Sequence, residues 1–261
     1  MKKVIIPIVL LIVALTTLSF TAGNDITLRL RPIKDKSYVI NSTINQKTVM
    51  KIQGQNMTST QKIDLRQTYF AKEVSEQNST FETQIEAIKM TGTAMGMTFS
   101  YDSDNPQNSS PIIAEQAKAY NGMLKNPITM TFNALGVNTD KEDNNLNQLS
   151  NVIVELPENE MSVGSQWTYV KTHNSDNIEF TVNMTCTVTG ISKKSVDFSF
   201  TGDINSKDVT GNFKGTSSIN PHTGMIIMSN AESTISATIS EQGMTIPLTI
   251  TGTSTINVKE L

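Results

Sequence analysis

The chain of 261 residues holds a single cysteine, Cys186, so it can form no disulfide within itself. It has two histidines, His222 in a turn and His173 beside Asn174 and Asp176, and neither has a partner at metal-ligand spacing. No serine sits in a G-x-S-x-G elbow, and no glycine pattern is suited to cradle phosphate. Nucleophile-elbow hydrolases and nucleotide-dependent enzymes therefore lack their signatures. Cys186 falls in phase with Phe180 and Val182, which suits an inert buried thiol better than a nucleophile. Basic residues are scattered and the formal net charge is −3, so the footprint of a nucleic-acid or anionic-membrane binder is missing.

The first long apolar run, Val4 to Phe20, follows Lys2 and Lys3 and ends in Thr21-Ala22-Gly23. Residues 1–23 read as a secretory signal with cleavage just before Asn24, and Pro7 argues against an uncleaved anchor. No cysteine lies near its end, so a lipoprotein signal is not expected. Without Lys2 and Lys3, 19 basic residues face 24 acidic ones, a charge of −5. Residues 24–261 are expected to form a single β-rich domain in the periplasm or secreted, with no integral membrane span after cleavage. Its halves are about 24–138 and 151–261, joined by a polar, acid-rich connector at about 139–150. Asn-x-Thr triplets at 41, 56, 78 and 183 are read as accidents of an Asn- and Thr-rich composition.

What the chain has in abundance is alternation with period two. Residues 24–32 read as a short strand with Ile26, Leu28 and Leu30 on one face. Tyr38, Ile40, Ile44, Met50 and Ile52 then share one side of an extended chain, and a turn at Gly54-Gln55-Asn56 leads to Met57, Ile63, Leu65, Tyr69 and Ala71. Phe81, Ile85 and Ala87 follow, and the phase slips at Ile88 and Met90, which predicts a bulge. After a turn containing Gly92, Met95, Met97, Phe99 and Tyr101 resume the alternation, and Ile128, Met130 and Phe132 form another strand. In the second half Trp167 and Tyr169, then Ile178 to Val188, alternate strictly. Val196 to Ile204 and Val209 to Ile219 follow, then Met225, Ile227, Ala231, Ile235, Ala237 and Ile239, and last Met244 to Val258. Strands of this length joined by short turns predict an antiparallel meander curled into a barrel or half-barrel. An outer-membrane barrel shows the same alternation. Here the aromatics form no girdles, and several strands exceed a spanning length.

One stretch breaks the pattern. In Pro111–Lys125, Ile113, Ala117, Tyr120 and Leu124 fall at i, i+4, i+7 and i+11, flanked by Ile112 and Met123. Ser110 and Pro111 suit its start, and Asn126-Pro127 its end. The spacing predicts an amphipathic helix over 111–125 packed on the concave face of the sheet. The candidate ligand-binding residues are accordingly Ile113, Tyr120, Met123 and Leu124, together with Met95, Met97 and Phe99. Methionine, of which the chain has 13, adapts to varied apolar shapes, or merely fills gaps in a core.

Acidic groups offer less. Asp102-Ser103-Asp104-Asn105 begins like a calcium loop but has Ile113 where the bidentate glutamate belongs. Asp140, Glu142 and Asp143 are an acidic surface segment, and Glu155, Glu158 and Glu160 have no spatial pairing that sequence can assign. No catalytic residue, metal or cofactor is expected.

Tyr101-Asp102-Ser103-Asp104, Phe132 with Leu135-Gly136-Val137, Leu156-Pro157 with Val163-Gly164-Ser165-Gln166-Trp167, and Thr223-Gly224 occur in that order. With the signal they resemble a family of exported bacterial proteins whose function is itself undefined, and no site residue comes with the resemblance. In architecture a long meander plus a helix is similar to the half-barrel lipoprotein carriers of the bacterial envelope. The expected function is non-enzymatic binding of a lipid or other hydrophobic molecule. The alternatives are a structural or protein-interaction module with a solid core, which would have a protein partner, and a hydrolase. N-terminal sequencing of the exported protein should return Asn24 as its first residue; a start at Met1 would show an uncleaved anchor.

Overall fold

The even positions of β1 (Ser37–Ile52) and the odd positions of β2 (Gln55–Val74) carry the apolar side chains, and the two strands pair with Tyr38 opposite Tyr69 and Met50 opposite Met57. Gln53 and Gly54 both take positive φ, 49° and 83°. The turn is thus the two-residue type that matches strand twist, one position earlier than the sequence suggested. Partners across an antiparallel ladder point to the same side, so this hairpin has one apolar face and one polar face.

The same rule carries the face across the molecule. The computed structural model describes residues 25–94, 96–113, 121, 124, 126–140, 153–175, 178–241 and 244–261. Further strands are β3 (Asn78–Ala94), β4 (Met97–Asp102), β5 (Ile128–Asn133), β6 (Gln166–Ser175), β7 (Ile178–Ile191), β8 (Val196–Asn205), β9 (Val209–Ile219), β10 (Ile226–Glu241) and β11 (Met244–Glu260). They form one antiparallel sheet in the order β4-β3-β2-β1-β11-β10-β9-β8-β7-β6, with β5 beside β4 on the outer edge of β3. The first and last long strands meet, Tyr38 opposite Glu260, so the two halves of the chain share the centre of the sheet. At β rise, strands of 16 to 20 residues are roughly 50–65 Å long.

β6 pairs with neither β4 nor β5, so the sheet is an open half-barrel and not a closed one. It is nonetheless strongly curled at one end. A single buried cluster joins Tyr69, Phe81 and Phe132 near one edge to Cys186, Val188 and Phe198 near the other. Its centre is the segment 25–34. Leu28 and Leu30 are 0% and 1% exposed there, on the face the alternation predicted. The segment is not a strand of the sheet, however. It crosses the strand ends, and its N–H groups are satisfied piecemeal: Ile26 donates to the carbonyl of Met161 (2.8 Å), Leu30 to Ala134 (2.8 Å) and Arg31 to Thr223 (2.8 Å). Residues 153–161 close the remaining gap, with Leu156 N–H on the Leu135 carbonyl (2.8 Å) and the Trp167 indole on the Glu155 carbonyl (3.1 Å).

Four register shifts adjust the phase among the described strands, and two of them bear on the inner face. Between Arg66 and Gln67 the register with β3 shifts by one residue, Glu86, at the predicted slip; its carboxylate is held by Arg66 (2.8 Å) and by the Thr68 hydroxyl. In β10 the shift between Ile226 and Met228 puts Ile227 on the outside, so Ile226 takes the inward position expected for Ile227. Gly92 lies within β3, opposite Phe99, and Gly96 takes the positive φ between β3 and β4. Among the described residues no helix is long and apolar enough to cross a membrane.

Three glycines face phenylalanines directly across the ladder: Gly92 and Phe99, Gly202 and Phe213, Gly215 and Phe200. A Cβ at each would lie 2.6, 2.3 and 2.4 Å from the facing ring and 2.1, 2.4 and 2.1 Å from a backbone carbonyl oxygen of the adjoining strand. Each ring therefore lies over bare backbone, which lets strands bend closely without exposing the glycine. Gly202→Ala and Gly215→Ala should each cost about 1–3 kcal/mol in urea denaturation. Unchanged midpoints would show that the rings can swing aside.

Candidate functional site

The registers set the inward residues in rows that run across all the long strands. One row, from edge to edge, is Phe99, Gly92, Gln61, Gln46, Gly252, Ser233, Phe213, Gly202, Met184 and Tyr169. The row on the plugged side is Tyr101, Met90, Ile63, Ile44, Ser254, Ala231, Gly215, Phe200, Cys186 and Trp167. Towards the open end come Thr48, Ile250, Ile235, Gly211, Ile204 and Val182, then Met50, Leu248, Ala237 and Val209.

Three zones follow. On β2–β4 a second buried cluster comprises Leu65, Ile85, Ile88, Met90, Phe99, Tyr101 and Ile113. On β6–β9 an aromatic bank runs from Trp167 to Phe198 (5.1 Å between ring centroids), Phe200 (6.4 Å) and Phe213 (6.3 Å). Between them the inward positions of β1, β11 and β10 include a run of small residues, Ser42, Ser254, Gly252, Ala231 and Ser233, all half-buried. The inner face thus has a low floor between two bulky walls. Beyond the row through Gln61, Gln46 and Ser233, a polar belt across the central strands, Met50, Met57, Ile204, Ile235, Leu248 and Ile250 are half-buried and belong to neither buried cluster.

Charge is sorted with equal strictness. Among the strand residues whose side chains are described, the charged ones in inward phase are Lys171 on the edge strand β6 and Glu260 at the last rung. Lys47, Lys62, Arg66, Lys89, Asp197, Asp203, Lys214 and Glu232 all stand in outward phase. A shallow depression of about 740 Å³ combines outward Asn45, Lys47, Thr60, Lys62, Lys214 and Thr251 with the small residues of the belt row.

The sequence-predicted site residues divide between these zones. Ile113 and Phe99 are buried in the second cluster and Leu124 packs against it, making a bridge to Ile85. Met97 has inward phase opposite Ala94 but is 54% exposed, because it sits at the end of an edge strand beyond the cluster. Of the expected 111–125 helix the structure describes a 3-10 turn, Pro111–Ile113, a helical Asn121 that accepts from the Tyr101 hydroxyl (2.7 Å), and Leu124. Tyr120, Met123 and Met95 lie outside the described residues, as does most of the 139–150 connector. The sequence reading missed the belt, Gln67 and the floor. Each strand does show its own interruption, as in Ile44-x-Gln46-x-Thr48, but their alignment into one row needs the register.

The acidic candidates take other roles. Asp102 accepts from the N–H of Asp104 (3.0 Å) and from Lys89 (3.0 Å), which together hold its carboxyl below the usual range. Its loop is a β-turn tied to β3. Glu155, Glu158 and Glu160 are brought to one depression of about 540 Å³ beside Trp167 and Tyr169, where Glu158 and Glu160 are fully exposed. Arg29 binds the carbonyls of Pro157 (3.0 Å) and Glu158 (2.8 Å), so this segment fastens the plug.

No family model matches the chain, and no curated protein sequence matches it. Among solved structures it is similar to lipovitellin, from a study of lipid–protein interactions in that protein, with a TM-score of 0.53 at 10% identity over 88% of this chain. The chain spans 26% of the length of lipovitellin. An outer-membrane channel from Pseudomonas putida F1 also aligns over 88% of this chain and 97% of its own, at 6% identity and a TM-score of 0.23. The first likeness is one of fold: a large, open, antiparallel β-sheet.

Burial pushes the Cys186 thiol up to about 12 and raises the Tyr169 phenol as well. At pH 8 roughly one Cys186 in ten thousand is then thiolate, so native protein should resist a thiol reagent that modifies it at once in denaturant. Because the folded state holds this proton more tightly, the stabilisation is complete below pH 9, the ordinary value. It declines as pH rises towards 12. Rapid native labelling at pH 8 would show instead that the first cluster opens to solvent beside Cys186.

Proposed function

We infer that this protein is a non-enzymatic binder of a lipid or similarly hydrophobic molecule, acting after export from the cytoplasm. The observation that carries the reading is the inner face of the sheet. It carries apolar rows across ten strands, yet the 25–34 plug, Ile113 and Leu124 cover it only near one end and on one flank. Exposed apolar surface of this extent, at about 25 cal/mol per Å², is a standing cost that an apolar ligand removes. The similarity in fold to lipovitellin is compatible with such a ligand. The signal-like residues 1–23 support export.

The ligand lies on the floor between the second cluster and the aromatic bank, with Ile113, Phe99 and Leu124 on one wall and Met97 at the rim. Half-buried methionines and isoleucines towards the open end accept chains of differing length. Binding needs no titrating group and so should vary little between pH 6 and 8.

Organic extraction of the purified protein followed by mass spectrometry should recover a lipid in near-stoichiometric amount. Ile250→Asp, on the inner face, should lower that yield about tenfold by placing a carboxylate against the apolar ligand. Thr251→Asp, one residue along on the outer face, should leave it intact. Consistently empty wild-type protein, or equal loss in both variants, would remove the basis for a carrier.

A further inference from the structure

We propose that the ligand is an uncharged lipid carrying a free hydroxyl or amide N–H, and that Gln67 is the residue that selects it. This rests on the lipid-binding reading above and narrows its chemical class.

Gln67 is inward-facing on β2, opposite Ile40 on one side and Ile85 on the other, between Leu65 and Tyr69. It is 4% exposed, and its Oε1 has no hydrogen-bond partner. A buried amide oxygen left unpaired costs about 1–3 kcal/mol, so an apolar side chain of the same length would serve a purely structural site better. On β3, opposite Tyr69 and one inward position from Ile85, the Thr83 hydroxyl finds only the Met130 sulfur at 3.9 Å. These two neutral groups lie where the two apolar clusters abut: Leu65 and Ile85 belong to one, Tyr69 and Phe81 to the other. A seam of unsatisfied polar atoms between two apolar surfaces matches a molecule that is oily at both ends with a polar group between.

The charge pattern sets the sign of that group. Among the strand residues whose side chains are described, inward charges stand only at the margins, at Lys171 and Glu260, so a carboxylate or phosphate would be buried at the seam without a counter-ion. Gln67 Oε1 accepts, so the ligand must donate. A lipid whose oxygens are all esterified cannot, and a fatty-acid anion cannot either. An acylglycerol with a free hydroxyl has the required donor between or beside its chains.

The test uses the full purified protein, delipidated, and measures transfer of radiolabelled lipid from phosphatidylcholine vesicles. Dioleoylglycerol, which has a free hydroxyl, should bind about tenfold more tightly than trioleoylglycerol, which has none, and oleate should bind weakest. In Gln67→Met and Gln67→Leu the diolein-to-triolein ratio should fall to about one with triolein binding kept, and the empty variants should melt no lower than wild type. Because the ratio is taken on one sample, partial unfolding of a variant cancels. Equal binding of diolein and triolein by wild type, a ratio unchanged by Gln67→Met, or a preference for oleate each overturns the proposal while leaving a hydrophobic carrier in place. Equal binding is also the result if a trapped water satisfies Gln67. Binding of none of the three overturns the proposal together with the lipid-binding reading.

Discussion

A single β-sheet has two faces and can bury only one of them against itself, and this constraint organises the whole molecule. Eleven strands put their apolar side chains on one side. No second sheet covers them among the described residues. Curling is the remaining way to remove that face from water, since right-handed twist accumulates along strands of this length. Curling alone leaves the strand ends open, and the 25–34 segment then fills one end, with Leu28 and Leu30 as the most completely buried side chains in the plug. The segment can do this because its backbone does not join the ladder. A strand added to the sheet would extend the apolar face; a strap across the ends covers it.

The rows explain why the sheet stops short of closing. In the two middle rows the aromatic rings stand on the flanks, while the centre carries Gly252, Ser254, Ala231 and Ser233. Glycine opposite phenylalanine at Gly202–Phe213 and Gly215–Phe200 bends the β8–β10 region tightly. The second cluster fills the opposite flank before β4 can approach β6. A closed barrel of the same strands would need those flanking side chains to interpenetrate. Open form and small floor are two consequences of one distribution of volume.

The strands, their phase and the bulge at Glu86 were legible in the sequence because each depends on residues near to one another along the chain. Alternation identified Ile40, Leu65 and Phe198 as inward with no knowledge of their partners. Misplacements fell where a longer-range interaction decides. Residues 25–34 alternate like a strand, yet their hydrogen bonds go to Ala134, Met161 and Thr223, far away in sequence. Ile227 continues an apolar pattern that the β10 bulge turns outward. Gly92 reads as a turn residue until Phe99 is seen across from it. Of the site, the wall at Ile113, Phe99 and Leu124 came from local spacing. The belt and floor did not, because a row across ten strands exists only once nine registers are fixed.

The same logic separates this inner face from a merely imperfect core. In an imperfect core, unpaired polar atoms and uncovered apolar residues would fall at unrelated places, each where packing failed locally. Here they fall in register: the belt is one continuous row, and Gln67 sits where two apolar clusters meet. Outward phase, by contrast, takes nearly all the charge, with Arg66–Glu86 and Lys89–Asp102 paired on the solvent side of the very strands that bear Gln67 and Met90 within. A sheet that keeps ions to one face has no difficulty placing glutamine there as well. Gln46, Gln61 and Gln67 occupy the other face, and neutral hydrogen-bonding groups at those positions are what an uncharged amphipathic ligand would select.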